Sequence, residues 1–256
     1  MIRFQSFVSG SSGNCTFITN GEVNLLVDCG ANGKYITECL RRIGIIPQQL
    51  SGILITHEHR DHISGAGILS RRFNLPIYAK EKTWSAMEES IGAIKPEHYR
   101  LLEKEMTIGN LDIRSFSVSH DAADPVGFSF FNEQEKMTVA TDIGKVTDVL
   151  YKHLKGSDAI IIEANHDEAM LEKGPYPYPL KKRILSEEGH LSNTECGKLC
   201  TKLAQNGTKS IWLGHLSIEN NTPELAYKTV ADAMEKKKIL SETDVSLNVL
   251  PRFWVN

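Results

Sequence analysis

The sequence predicts an α/β fold in one compact domain. Three observations carry this. Short apolar runs that read as strands fill the first part of the chain, then alternate with helical segments. The 256 residues are 41% hydrophobic with 19 glycines, ample for a sizeable core and too apolar for a disordered chain. No linker, low-complexity tract or structural repeat divides the chain, so residues 1–256 read as one unit.

In order, Cys15–Thr19 and Glu22–Asp28 read as strands flanking Asn20-Gly21, a two-residue hairpin signal. Lys34–Ile43 is helical, with Gly44 placed to stop it. Gly52–Thr56 is an apolar strand running into a histidine cluster. Leu75–Ala79 is a strand and Thr83–Ile91 a short helix. Met106–Gly109 and Leu111–Ser119 form a hairpin pair ending at His120. Val126–Phe131 and Met137–Thr141 flank the polar turn Asn132–Lys136, and the second ends at Asp142. Val146–Lys155 is a helix closed by Gly156, Ala159–Ile162 a buried strand ending at Glu163, and Leu180–Glu187 helical. Ser192-Asn193-Thr194-Glu195 is a capping box opening a helix to Gln205, which Asn206-Gly207 ends. Ile211–Gly214 is a strand ending at His215. Thr222-Pro223 supplies the cap and first-turn proline of a helix to Lys237, and Val245–Leu250 is the last strand.

With 29 Lys+Arg against 32 Asp+Glu the net charge is −3, which excludes a generally basic nucleic-acid binder but not a local basic patch. The five cysteines are odd in number and contain no CxxC, and the N-terminal stretch has no cationic segment followed by an apolar run. Both facts argue against a secretory signal and a disulfide framework. No apolar run approaches ~18 residues, so no membrane span or membrane partner is expected, and the expected compartment is a reducing cytoplasm.

The strongest chemical signal is Thr56-His57-Glu58-His59-Arg60-Asp61-His62. Imidazole and carboxylate are the donors of Zn, Fe and Mn sites. In an extended stretch His57 and His59 point the same way, and a turn into helix at Asp61-His62 swings those two toward a neighbouring position. Asp28, His120, Asp142, Glu163 and His215 also end apolar strands, where α/β folds collect site residues. A lone strand-end aspartate is commonly a turn residue, but the set as a whole supplies donors for two metals. Gly189-His190-Leu191-Ser192 is echoed by Gly214-His215-Leu216-Ser217.

The run His57-x-His59-x-Asp61-His62, followed by His120, Asp142 and His215, resembles the metallo-β-lactamase superfamily across essentially the whole chain. The resemblance implies a four-layer αββα sandwich holding two divalent ions (Zn, Mn or Fe) at one edge. It implies His57, His59 and His120 as ligands of one metal, Asp61, His62 and His215 as ligands of the other, and Asp142 as the bridging carboxylate. Asp28 would support the ligand loop by hydrogen bonds. The best-known β-lactamases of this type carry Cys where Asp142 stands, so antibiotic hydrolysis is disfavoured. Glu163 and His190 are placed like residues that assist at the scissile phosphate in ribonuclease Z and ribonuclease J-like nucleases, and Asp61 counts with them as catalytic.

Ribonuclease J-like enzymes insert a domain after the bridging Asp, whereas Asp142 and His215 lie too close for one here. The phrases Gly10-Ser11-Ser12-Gly13-Asn14, Glu163-Ala164-Asn165-His166-Asp167, Gly189–Asn193 and Leu213–Ser217 look like the compact YycJ/WalJ-like metallohydrolases. That resemblance implies 5′→3′ exonuclease activity with DNA as the nucleic-acid partner. Two divalent ions would hold a bridging hydroxide for in-line attack, and would bring the net charge of −3 close to neutral with positive charge at the cleft.

Ser11, Ser12 and Asn14 form a Gly/Ser loop that can cradle phosphate or be an ordinary turn. His166 can face the cleft or stabilise a turn. Arg183, in Lys181-Lys182-Arg183, can contact phosphate or be a solvated face, as can Arg60 and Arg71-Arg72. Tyr176 and Tyr178 stand in a Pro-rich loop suited to stacking on an unpaired base or to packing. His98 and His153 read as surface residues. The alternative function is a metallohydrolase of a small substrate, a cyclic phosphodiester or a thioester. Oligomeric state is open.

Overall fold

Successive side chains of a strand leave opposite faces of the sheet, and in the central strands of this chain both faces are apolar. Leu25 and Val27 go one way and Leu26 the other; Ile161 goes one way, and Ile160 and Ile162 the other. Each sheet must therefore be covered on both sides. The computed structural model describes residues 1–254 and shows how this is done.

One sheet runs β1 (Arg3–Val8), β2 (Cys15–Thr19), β3 (Asn24–Val27), β4 (Gly52–Leu54), β5 (Ile77–Ala79) and β6 (Tyr99–Leu101) in spatial order. The second is built from β7 (Glu105–Ile108), β8 (Leu111–Ser117), β9 (Val126–Phe131), β10 (Lys136–Ala140), β11 (Ala159–Glu163), β12 (Ser210–Gly214) and β13 (Ser246–Val249), also in sequence order across the sheet. β1–β3 and β7–β10 are antiparallel. β3–β6 and β10–β13 are parallel.

The first half carries helices α1 (Gly33–Arg42), α2 (Arg60–Ile63), α3 (Ala66–Phe73) and α4 (Glu81–Ile91). The second carries α5 (Asp148–Leu154), α6 (Glu168–Lys173), α7 (Tyr178–Ile184), α8 (Asn193–Gln205) and α9 (Pro223–Glu235). Ile36, Leu40, Leu69 and Met87 of α1, α3 and α4 pack on Leu26, Ile53 and Ile77 of the first sheet. Leu150, Leu199, Leu203, Val230 and Met234 of α5, α8 and α9 pack on Ile160, Ile162 and Leu213 of the second. Ile18, Leu25, Leu54, Phe128, Phe130 and Ile161 fill the space between the sheets. The result is the four-layer αββα sandwich. Among the described residues no helix is long and apolar enough to cross a membrane.

The layering positions the site. Because β3 and β4 are parallel, as are β10, β11 and β12, the residues leaving their C-terminal ends gather at one edge of the paired sheets. Asp28, Thr56–His62, Asp142, Glu163 and His215 all come from those ends.

Several local expectations change. Thr19 pairs with Asn24, so the Asn20-Gly21 hairpin turns through four residues, with the Asn20 side chain accepting from the amides of Glu22 and Val23. Only half of the Ser192 capping box forms. The Ser192 hydroxyl accepts from the Glu195 amide, but the Glu195 carboxylate goes to Lys198. β1, β6, α3 and α6 were not foreseen. The three residues of β6 are all exposed, and three of the four residues α3 buries, Ala66, Gly67 and Ser70 beside Leu69, are small, so neither shows a strong apolar stripe. His98 is buried, at 7% exposure, and His153 is half-buried against the Phe116 ring. Arg71 donates to the carbonyls of Ile91, Gly92 and Ala93 at the end of α4, which explains it without nucleic acid.

Candidate metal centre

The loop after β4 is held by Thr56. Its amide donates to Asp28 Oδ1 (2.9 Å) and its hydroxyl to Asp28 Oδ2 (2.8 Å); the same hydroxyl lies 3.0 Å from His57 Nδ1 and 3.2 Å from His62 Nδ1. Asp28 also takes His62 Nδ1 at 2.8 Å. One buried carboxylate thus orients two imidazoles, and their Nε2 atoms are left for the cleft. The chain enters α2 with His59 at its cap position, which lets Asp61 and His62 meet His215 while His57 and His59 meet His120.

Gly30 makes this nesting possible. A Cβ there would fall 1.6 Å from the Asp61 carbonyl oxygen and 2.6 Å from the Asn14 nitrogen. The Asn14 amide donates to the Asp61 carbonyl (2.8 Å) and the Gly30 amide to the Asn14 carbonyl (2.7 Å), fixing the Gly10–Asn14 loop against the ligand loop. Asn14 Nδ2 lies 3.0 Å from His62 Nε2. Ser11 and Ser12 are exposed at the loop's tip.

His57 Nε2 is 3.0 Å from His59 Nδ1, which is 3.3 Å from His120 Nε2. His120 Nδ1 points at the Gly189 carbonyl (3.0 Å), fixing the ring's other nitrogen toward the cluster. In a second group Asp61 Oδ2 is 3.6 Å from His62 Nε2 and 3.8 Å from His215 Nε2. Asp142 touches both groups: Oδ2 is 3.5 Å from His62 Nε2 and Oδ1 3.7 Å from His120 Nε2. Asp28, Asp142 and His215 all have left-handed backbones, with φ of 60°, 58° and 55°. That conformation costs a side-chain-bearing residue about 1–2 kcal/mol, and here it turns three strand-end side chains into one cleft.

Glu163 is fully buried and accepts four hydrogen bonds. Oε1 takes His190 Nδ1 (2.8 Å) and His215 Nδ1 (2.7 Å), and Oε2 takes the amides of Ile143 (2.7 Å) and Leu191 (3.0 Å). The two histidines of the repeated Gly-His-Leu-Ser phrase are therefore fixed by one oxygen.

Burial pushes Glu163 up, but the His190 and His215 rings outweigh it and hold the carboxyl well below its usual range. Burial likewise pushes Asp61 and Asp142 up, and the rings of His215 and His62 outweigh it in both. Burial pushes His62 down, yet Asp142 and Asp28 bring it up to about 9. His215 is raised well above its usual range by Asp142 and its bonds to Asp61 and Glu163, against burial. His57 goes the other way, pushed far down by burial and then by the rings of His62 and His120.

These groups fit divalent cations. His57, His59 and His120 can hold a metal ion, as can Asp61, His62 and His215, and His57, His62 and Asp142. Asp142 Oδ2 and His215 Nε2 are buried polar atoms whose nearest charged neighbours, at 3.5 and 3.8 Å, are too far for a good hydrogen bond, a costly arrangement that a cation would relieve. The donors are imidazole and carboxylate, the set that Zn, Mn and Fe take.

Two expected contact residues are placed differently. His166 is 1% exposed and neither ring nitrogen has a partner, so it is closed off from the cleft surface. Arg183 is at the rim, where Nε donates to Asp121 Oδ2; Asp121 Oδ1 is 3.4 Å from His120 Nε2. Thr56 and the Gly189 carbonyl were missed. A hydroxyl directly before the histidine cluster was the available signal for Thr56, whereas a backbone carbonyl carries none.

Residues 23–215 match the family model described as the beta-lactamase superfamily domain. The chain is 41% identical over 238 residues to exodeoxyribonuclease YycJ of Bacillus anthracis, covering 92% of this chain and 90% of that one. It is 43% identical over 236 residues to exodeoxyribonuclease WalJ of Streptococcus pneumoniae serotype 2, covering 91% and 88%. Among solved structures, the metallo-beta-lactamase fold protein YhfI of Bacillus subtilis superposes with a TM-score of 0.71 at 15% identity, over 99% of this chain and 98% of that one.

Proposed function

The chain belongs to the beta-lactamase superfamily, in the group of the exodeoxyribonucleases YycJ and WalJ, and from that premise we propose a metal-dependent 5′→3′ exodeoxyribonuclease. The observation that carries this reading is the pair of donor groups sharing Asp142, with the Glu163–His190 pair beside them. One domain, 1–256, performs the reaction without an inserted nuclease domain.

His57, His59 and His120 would hold one divalent ion and Asp61, His62 and His215 a second, with Asp142 next to both donor groups. The ions are Zn, Mn or Fe. Bound there, they supply Lewis acidity that lowers the pKa of water and offsets charge on a phosphodiester. Glu163 takes the Nδ1–H of His190 and so leaves Nε2 to carry a proton to the leaving sugar oxygen. Asp61, whose side chain is 29% exposed, orients the attacking water. Ser11, Ser12 and Arg183 at the rim contact the DNA backbone; Asn14 holds its loop against the ligand loop through the hydrogen bond from its amide to the Asp61 carbonyl, and the His166 carbonyl accepts from the Asn193 amide at the start of α8. The five buried, unpaired cysteines support a reducing cytoplasm.

Duplexes labelled at either the 5′ or the 3′ end and incubated with Mn²⁺ test the reading. Nucleotides should be released from the 5′ end, and Asp142→Ala should abolish release. Turnover of bis-p-nitrophenyl phosphate with none of any polymer would replace this reading with a small-substrate phosphodiesterase.

A further inference from the structure

We propose that the outer face of α7 is a docking surface for an unpaired stretch of the DNA strand, with Tyr178 as its stacking platform. The proposal rests on the nuclease reading and adds where the polymer lies. Tyr178, Lys181, Lys182 and Leu185 recur at the spacing of one helical face. With Leu171, Glu172 and Ser186 they line a cavity of about 510 Å³ between α6 and α7. Tyr178 is 78% exposed and Leu185 60%, so an aromatic ring and an aliphatic side chain face water where the fold has nothing to cover them. Pro175, Pro177 and Pro179 brace the backbone around the ring, which lowers the entropy cost of presenting it.

Charge selects the occupant. Lys182 makes no hydrogen bond or ion pair among the described residues, and Lys181 donates to a neutral group, the Glu172 carbonyl. Glu172 is the one acidic side chain lining the cavity. Flat apolar surface edged by cations is what a base and its phosphate require, and it is tolerant of sequence.

The surface also continues into the metal centre. The His190 amide donates to the Ile184 carbonyl (3.0 Å), so the last turn of α7 holds the backbone of His190. Arg183, one residue earlier, reaches Asp121 beside His120. From Tyr178 to Ile184 the helix rises about 9 Å, so the ring stands about that far along α7 from the end that adjoins His190.

The test uses a nuclease-resistant phosphorothioate oligodeoxynucleotide carrying 5-iododeoxyuridine, irradiated with the whole protein and mapped by mass spectrometry. The crosslink should fall on Tyr178. Fluorescence anisotropy should show binding roughly tenfold weaker in Tyr178→Ala, as expected from one lost base stack, and restored in Tyr178→Phe. Lys182→Ala should flatten the salt dependence. Crosslinks only elsewhere, or Tyr178→Ala binding like wild type, overturn the proposal. Release of labelled nucleotides with crosslinks elsewhere leaves the nuclease reading standing and removes the surface. A Tyr178 crosslink without any release does the reverse.

Discussion

A single oxygen of Glu163 serves both His190 and His215, which separates two roles that a substitution can pull apart. If His190 carries the proton to the leaving group, His190→Ala should cut kcat on DNA about 10²- to 10⁴-fold. The loss should be far smaller on a diester that releases p-nitrophenolate, which leaves without a proton. Equal losses on both would exclude the proton-donor role. Protons also mark the metal positions. Burial pushes His62 down but Asp142 and Asp28 raise it from 6.5 to about 9. In the metal-free protein this protonated ring therefore stabilises the fold fully below pH 6.5, and the contribution is lost as pH rises through about 9. Ions binding at neutral pH must displace that proton and the one on His215, so metal affinity should rise with pH up to about 9. Calorimetry at pH 7 in two buffers of different ionisation enthalpy checks this; identical heats would refute it. The gathering of His57, His59, Asp61, His62, His120, Asp142 and His215 was legible because they cluster in one short run or end apolar strands. That Glu163 serves two rings was not, because the contact joins loops far apart in sequence, although the repeated Gly-His-Leu-Ser phrase hinted at equivalent surroundings.

At the scale of elements, the site depends on two loops interpenetrating at Gly30. Any side chain there meets backbone, not a flexible tip, so the strain cannot be relieved by a rotamer change. Gly30→Ala should push the Gly10–Asn14 loop off the ligand loop, costing about 1–3 kcal/mol or more. The expected readout is a lower metal-to-protein ratio together with a lower melting temperature; a variant that melts lower but keeps its metal would show that the nesting serves stability alone. Elements with a strong apolar alternation or a polar cap were readable in advance, as with β9 and the Thr222-capped α9. α3 was not, because it buries small residues whose fit depends on what lies opposite: a Cβ on Gly67 would strike the Ile91 carbonyl at 2.0 Å. β1 lies at the edge of its sheet and mixes Arg, Gln and Ser into its six residues, so only tertiary context makes it a strand.

On the scale of the whole molecule, the chain divides between β6 and β7 into two halves, each a sheet with its own helices. His57, His59, Asp61 and His62 belong to the first half, and His120, Asp142 and His215 to the second. Chelation should therefore loosen the contact between halves as well as empty the site. A fall in melting temperature of roughly 5–10 °C is expected at ordinary excess of metal over its dissociation constant. Faster proteolysis at 102–104 should accompany it, and unchanged melting after verified metal removal would count against this. The Trp254 amide returns to the Phe7 carbonyl (2.8 Å), so the last described residues reach back across the division. An exonuclease is hazardous while it is being made. The group of His57, His59 and His120 and the group of Asp61, His62 and His215 each take donors from both halves, so a half-folded chain lacks the paired donor groups. On the proposed two-metal reading activity arises only once both halves have docked, and the geometry of the division would then act as a safety catch on the newly synthesised enzyme.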